Sequence, residues 1–149
     1  MKNKKLLFIT EIASTHEGDP EVVNYLTERH IKSSSNFIKY QIFKAKNLYR
    51  KSNINYKSFK KLEIDFQKWN NLINNFKKKT KIILEPFDVE SYNFCKNYKK
   101  NVDVKISASE TDNFGIVDDS LNIFNKVYQN LSGYSDKQIS IILKKYKNN

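Results

Sequence analysis

The sequence predicts an α/β protein built on parallel strands, and three observations predict it. Short apolar runs alternate with amphipathic segments of helix length along the whole chain. Several of the helical segments carry their own start signal. Three apolar runs deliver ionisable side chains to the place where a buried strand meets solvent: Glu11, which opens the phrase running to Asp19, Lys39 with Gln41, and Lys105. Strand ends of that kind are where α/β enzymes keep their chemistry.

The elements follow in order. Leu6 to Ile12 is a nearly continuous apolar run, expected as a first strand covered on both faces. His16 to Asp19 is a loop, with Gly18 free to take a positive φ. Asp19-Pro20-Glu21 opens a helix with a capping residue, a first-turn proline and a first-turn acid. Val22, Val23, Leu26, His30 and Ile31 continue it. Ser33 to Asn36 is a turn and Phe37 to Phe43 a second strand.

The polar stretch from Lys44 to Lys61 has no strong periodicity and is long for a loop, a feature often tied to function. Ile64, Trp69, Leu72, Ile73 and Phe76 mark a further helix, closed by three lysines that suit its dipole. Lys81 to Leu84 is a third strand, broken by Glu85-Pro86. Asp88 caps the next helix, which carries Tyr92, Phe94, Cys95 and Tyr98. Val102 to Ile106 is a fourth strand, Asp118 to Phe124 a short helix and Lys126 to Leu131 a fifth strand. Ser135 and Asp136 open a last helix bearing Ile139, Ile142, Leu143 and Tyr146.

This order implies right-handed crossovers between parallel strands. A flavodoxin-like doubly wound sheet satisfies it, and so does the first part of a (β/α)8 barrel. Repeat spacing does not separate the two.

Composition narrows the classes. The 149 residues fit a single domain with a real core, and 39% hydrophobic content argues against disorder. No apolar run reaches 18 residues, so no membrane-spanning helix is expected, and the basic start before Leu6 lacks the rest of a signal peptide. A cytoplasmic protein is expected. The single cysteine, Cys95, fits a packed helical residue better than a nucleophile. The net charge of +11 invites a nucleic-acid reading. It is weakened because 25 of the 27 basic residues are lysine, scattered among 19 asparagines, whereas phosphate and base readout favour the arginine fork.

Lys39 and Lys105 lie within apolar strand patterns, where a lysine needs a carboxylate or an anion beside it. Composition alone favours, by a small margin, lysines that point to solvent. Glu11, His16 and Glu17 form a cluster capable of acid–base chemistry after the first strand, and Glu110 could add a carboxylate after the fourth.

Taken together, these segments resemble the N-terminal part of the N-acetylneuraminate (sialic acid) synthase family, which condenses phosphoenolpyruvate with sugars of the N-acyl-mannosamine type. Thr10-Glu11-Ile12-Ala13-Ser14-Thr15-His16-Glu17-Gly18 is similar to the family's first-strand phrase, and Ile38-Lys39-Tyr40-Gln41 to its second. Pro86-Phe87, Val104-Lys105-Ile106-Ser107-Ala108-Ser109-Glu110 and, more faintly, Leu131-Ser132-Gly133 match later segments in order. The resemblance implies a (β/α)8 TIM-type barrel, of which residues 1–149, as a single domain, supply about five βα units without the closing strands or the C-terminal antifreeze-like domain.

By the same resemblance, Lys39 and Lys105 hold the phosphate and carboxylate of phosphoenolpyruvate, with Ser132 assisting and Gln41 and Glu11 contributing to substrate binding. Glu17 and His16 are the catalytic candidates, and Glu110 binds the amino sugar. The family also uses a divalent metal, Mn or Mg, held by histidines on later strands. His16 and His30 are the two histidines of this sequence, so those ligands are absent from it. Three departures stand out: Thr15 for an asparagine, Glu85 for a hydroxyl residue, and Ala108 for a serine. The expectation is a synthase-like protein of nonulosonic acid biosynthesis that is truncated and inactive alone. It would pair with itself or with a complementary barrel fragment. A non-catalytic anion-binding module and a basic nucleic-acid domain are the alternatives.

Overall fold

The computed structural model describes residues 6–110 and 112–146, so the basic start over 1–5 and the polar tail over 147–149 lie outside the described residues. Five strands, β1 (Ile9–Glu11), β2 (Phe37–Ile42), β3 (Lys81–Pro86), β4 (Asp103–Ile106) and β5 (Val127–Gln129), form one sheet in the order β1-β2-β3-β4-β5. Every neighbouring pair is parallel. A doubly wound sheet reverses its strand order at a switch point. Here each strand sits beside its predecessor in the chain, as in an arc of a (β/α)8 barrel. The flavodoxin-like alternative is thereby removed.

Among the described residues seven α-helices connect and flank the strands: α1 (Pro20–Ile31), α2 (Ala45–Leu48), α3 (Tyr56–Leu62), α4 (Phe66–Phe76), α5 (Val89–Cys95), α6 (Phe114–Ile123) and α7 (Asp136–Lys145). The starts of α1, α5 and α7 are the predicted ones, each with a side chain capping the first turn. Asp19 accepts from Glu21 N–H and Asp88 from Ser91 N–H, while Ser135 and Gln138 form a reciprocal capping box. Helix α6 begins four residues before the expected Asp118, because Asn113 accepts from Ile116 N–H and starts the turn earlier.

Side chains alternate between the sheet's two faces. Ile38, Tyr40, Ile42, Ile82, Leu84, Val104 and Ile106 share one core with Val23 of α1, Trp69, Leu72, Ile73 and Phe76 of α4, and Tyr92 and Cys95 of α5. The other face carries Lys39, Gln41, Ile83, Glu85 and Lys105, so the core sits between sheet and helices and the charged residues sit on the concave side of the arc.

Three expectations change. The first strand is Ile9–Glu11, shorter than Leu6 to Ile12, and it is an edge strand. Leu6, Leu7, Phe8 and Ile9 are exposed rather than covered on both faces. Strand β3 does not break at Glu85 but continues through Pro86, with Gln41 opposite Glu85 and Ile42 opposite Pro86. The proline costs no ladder bond, because Phe87 N–H supplies the one to Ile42 O at 3.0 Å. Finally, the Lys44 to Lys61 stretch is not irregular. It holds α2 and α3, pinned by Glu63, whose Oε2 accepts from Ala45 N–H at 2.9 Å, and by the rings of Phe43, Tyr49 and Phe59.

Candidate functional site

A charged cluster lies on the concave face, towards the C-terminal ends of β1 to β4. Parallel register sets it up: Glu11 is opposite Lys39 on β1 and β2, and Gln41 is opposite Glu85 on β2 and β3. Lys39 Nζ lies 2.7 Å from Glu11 Oε1 and 2.6 Å from Glu85 Oε2. Lys105 Nζ lies 2.7 Å from Glu85 Oε1. Gln41 Nε2 donates to Glu11 Oε1 at 2.9 Å and reaches Glu85 Oε2 at 3.4 Å. The result is a row of alternating charge, Glu11–Lys39–Glu85–Lys105, crossing four strands with no net charge.

Burial grades along that row. The side chains of Glu85 and Lys39 are 3% and 6% exposed, Lys105 is 27% exposed and Glu11 43%. Burial alone would raise the Glu85 carboxyl, but hydrogen bonds from Lys105 and Lys39 and their positive charges hold it below the usual carboxylate range. Burial alone would lower the Lys39 ammonium, and its bonds to Glu11 and Glu85 reverse that, holding it above the ordinary lysine value. Glu85 and Lys39 are thus both ionised at neutral pH. In the buried middle of the row Glu85 takes one lysine on each oxygen, while the Lys105 and Glu11 ends face solvent.

Of the residues singled out from sequence, Glu11, Lys39, Gln41 and Lys105 come together. The others stand apart from this row. His16 is buried, its ring edge-on to Trp69 with centroids 6.2 Å apart, and its Nδ1 accepts from Gly18 N–H at 2.9 Å. It packs against the helix layer and shapes the β1–α1 loop. Glu17, in a left-handed conformation with φ 49°, is 77% exposed and faces Lys61 at 3.7 Å. Glu110 is half-buried in a 3₁₀ turn after β4 and accepts from Asn113 Nδ2 at 3.2 Å. It lines a hollow of about 540 Å³ with Asn47, Asp88 and Glu90. Ser132 is exposed in the turn after β5, where its N–H donates to Asn130 Oδ1 at 2.8 Å.

Glu85 is the central member that sequence reasoning marked only as a departure. Two-residue periodicity continued from Ile83 would have put it on the face of Lys39 and Lys105, had Pro86 not read as a strand breaker. Cys95 is fully buried, and burial pushes its thiol well above the ordinary value, in line with a packing role.

Among the described residues no group of three or more histidine, cysteine or carboxylate side chains is placed to hold an ion. Both histidines are engaged elsewhere: His16 as above, and His30 between the hydroxyls of Thr10 at 3.0 Å and Thr80 at 2.8 Å. Nor is any helix of the described residues long and apolar enough to cross a membrane.

The five parallel strands in consecutive order, with helices packed on one face and charged side chains at the strand ends of the other, define part of a TIM-type (β/α)8 barrel. Solved structures agree. The N-acetylneuraminic acid (sialic acid) synthetase of Leptospira borgpetersenii serovar Hardjo-bovis, solved in complex with citrate, superposes with a TM-score of 0.83 at 20% identity, over 97% of this chain and 51% of that one. A protein described as spore coat polysaccharide biosynthesis protein E from Chromobacterium violaceum gives 0.72 at 21% identity, over 94% and 45%. Spore coat polysaccharide biosynthesis protein SpsE from Bacillus subtilis gives 0.73 at 14% identity, over 96% and 40%. At such low identities the superpositions show the fold alone. The chain spans about half the length of these structures, or less. No family model and no curated protein matches the sequence.

Proposed function

We propose that this chain is a synthase-like protein of nonulosonic acid biosynthesis, acting in the cytoplasm. It engages an N-acyl amino sugar and does not by itself condense that sugar with phosphoenolpyruvate. The ordered sequence phrases and the barrel likeness support the carbohydrate assignment. The observation that carries the second half is Glu85. Its carboxylate takes one lysine on each oxygen, at 2.6 and 2.7 Å, where two free ammoniums would be needed to offset the charge of an enol phosphate.

What the site offers instead is suited to hydroxyls. Glu11 keeps an acceptor oxygen at the solvent end of the row, beside Gln41, whose amide donors are spent on Glu11 and Glu85, while Glu110 and Glu17 stand apart from the row after β4 and β1. An anion-binding module, the second reading, requires the same lysines to be free and is disfavoured by the same pairing. No proton transfer or metal-assisted step is assigned to this chain.

The test has two arms. The purified chain is mixed with phosphoenolpyruvate, Mn²⁺ and N-acetylmannosamine, with phosphate release followed with and without a complementary barrel fragment. Separately, sugar binding is read by saturation-transfer NMR. Sugar contact without phosphate release by the chain alone is expected. Sugar-dependent phosphate release by the chain alone overturns the inactive reading, and no sugar contact overturns the carbohydrate reading.

A further inference from the structure

We propose that Glu85 is a tethered anion that closes a two-ammonium site, and that removing its charge opens the site to a small free dianion such as inorganic phosphate. The proposal rests on the reading above only in taking the C-terminal end of the sheet as the ligand end.

The geometry argues it. Strand register fixes Glu85 between β2 and β4, so its carboxylate reaches Lys39 and Lys105 without leaving the sheet. Each oxygen is spent on a different lysine. The two ammoniums therefore stand within hydrogen-bond reach of one acid group, which is the spacing a single carboxylate or phosphate needs to bridge them. The occupant is already part of the chain, so a free anion competes with a partner of very high local concentration. It would also have to leave Glu85, at 3% exposure, buried without a counter-charge. The wild-type site is closed by both effects.

Access does not close it. Lys105 is 27% exposed, so an anion arriving from the concave face can reach the cluster once the carboxylate is gone. Removing the Glu85 charge changes the row from neutral to a net single positive charge. Lys39 keeps Glu11 at 2.7 Å, and Lys105 loses the carboxylate it holds in the native row. Glu85→Ser also vacates side-chain volume between the ammoniums, whereas Glu85→Gln removes the charge and keeps the shape. The two variants separate charge from space.

The measurement is calorimetric titration of the full chain with inorganic phosphate, with no sugar and no turnover, so that its failure is distinct from failure of the sugar-binding arm. Wild type is expected to show no saturable binding. Glu85→Ser is expected to bind at least tenfold more tightly than wild type, with the gain lost when Lys105→Met is added, and Glu85→Gln, whose amide still fills the space between the ammoniums, is expected to gain less than Glu85→Ser. Equal affinity in wild type and both variants, or no binding by variants that circular dichroism shows to be folded, overturns the proposal. Wild type supplies a reading that depends on no variant. Its Lys39 and Lys105 ammonium nitrogen resonances are expected to stay fixed as phosphate is added, and movement of both overturns the proposal.

Discussion

Glu85 Oε2 lies 2.6 Å from Lys39 Nζ, in a pair whose side chains are almost wholly withdrawn from water. Two charges in that setting repay their desolvation only together, so removing one is expected to cost more than removing both. Lys39→Met should lower stability by about 3 kcal/mol, because the Glu85 carboxylate is left with Lys105 alone. The double variant Lys39→Met, Glu85→Met should be less damaged than the two single variants added together, with a coupling of at least about 1.5 kcal/mol in urea unfolding. Simple additivity would show that the pair contributes nothing to the fold.

The β1–α1 loop depends on Gly18 for a different reason. Its φ is +86°, and a methyl group there would collide with the Lys61 carbonyl oxygen. Gly133 has φ +88° with open space around it. Gly133→Ala is expected to cost about 1 kcal/mol, the strain of the left-handed region alone. Gly18→Ala adds a backbone clash to that strain and is expected to exceed it by at least about 1 kcal/mol. Equal urea midpoints for the two variants would show that the loop moves away from Lys61 at little cost.

These two sites also mark what could be read from sequence. Helix starts were legible because capping is local: Asp19-Pro20, Asp88 and Ser135 each announce a first turn within four residues. Lys39, Gln41 and Lys105 were legible as strand residues with chemistry attached. The end of β3 was not, because Pro86 is a breaker by local rules and is retained only through pairing with β2, over forty residues away. Losing those two residues hid the facing of Glu85, and with it the neutrality of the site. The burial of His16 against Trp69 was illegible for the same reason, since nothing local announces a contact with α4. Leu6 to Ile9 read as a covered strand because apolar content does not report that a strand lies at a sheet edge.

Acid should act on this fold in two stages. Burial holds the His16 and His30 imidazoles below their ordinary value of 6.5. Below that pH the unfolded chain binds more protons, so their contribution is complete above 6.5 and declines as pH falls. His16 is the sharper case, because protonating Nδ1 breaks its bond to Gly18 N–H. Glu85, held below its ordinary 4.5, adds its loss only below that value. Lys39, held above 10.5, keeps its contribution below that pH and loses it on stronger alkalinisation. The urea midpoint is expected to fall between pH 7.5 and 5.5, and His16→Gln is expected to flatten that limb. A slope unchanged by the substitution would assign the limb to His30 or to other groups.

Asp88 ties together the ends of β2, α2 and α5, and its loss should exceed that of an ordinary helix cap. Oδ1 accepts from Ser91 N–H at 3.0 Å and from Asn47 Nδ2 at 2.9 Å. Oδ2 accepts from Lys44 N–H at 2.8 Å and from the Ser91 hydroxyl at 2.8 Å. Asp19 and Asp65, by contrast, each cap with one bond at an exposed position, to Glu21 N–H at 2.8 Å and Gln67 N–H at 2.7 Å. Alanine at either of those is expected to cost about 1 kcal/mol. At Asp88 it leaves buried donors from two segments unpaired, and a cost of about 3 kcal/mol is expected. Asp88→Asn keeps one acceptor oxygen but turns an amide group towards two donors, so it should recover less than half of that loss. If thermal unfolding shows Asp88→Ala no worse than Asp19→Ala, water replaces the carboxylate and the junction is not held by this side chain.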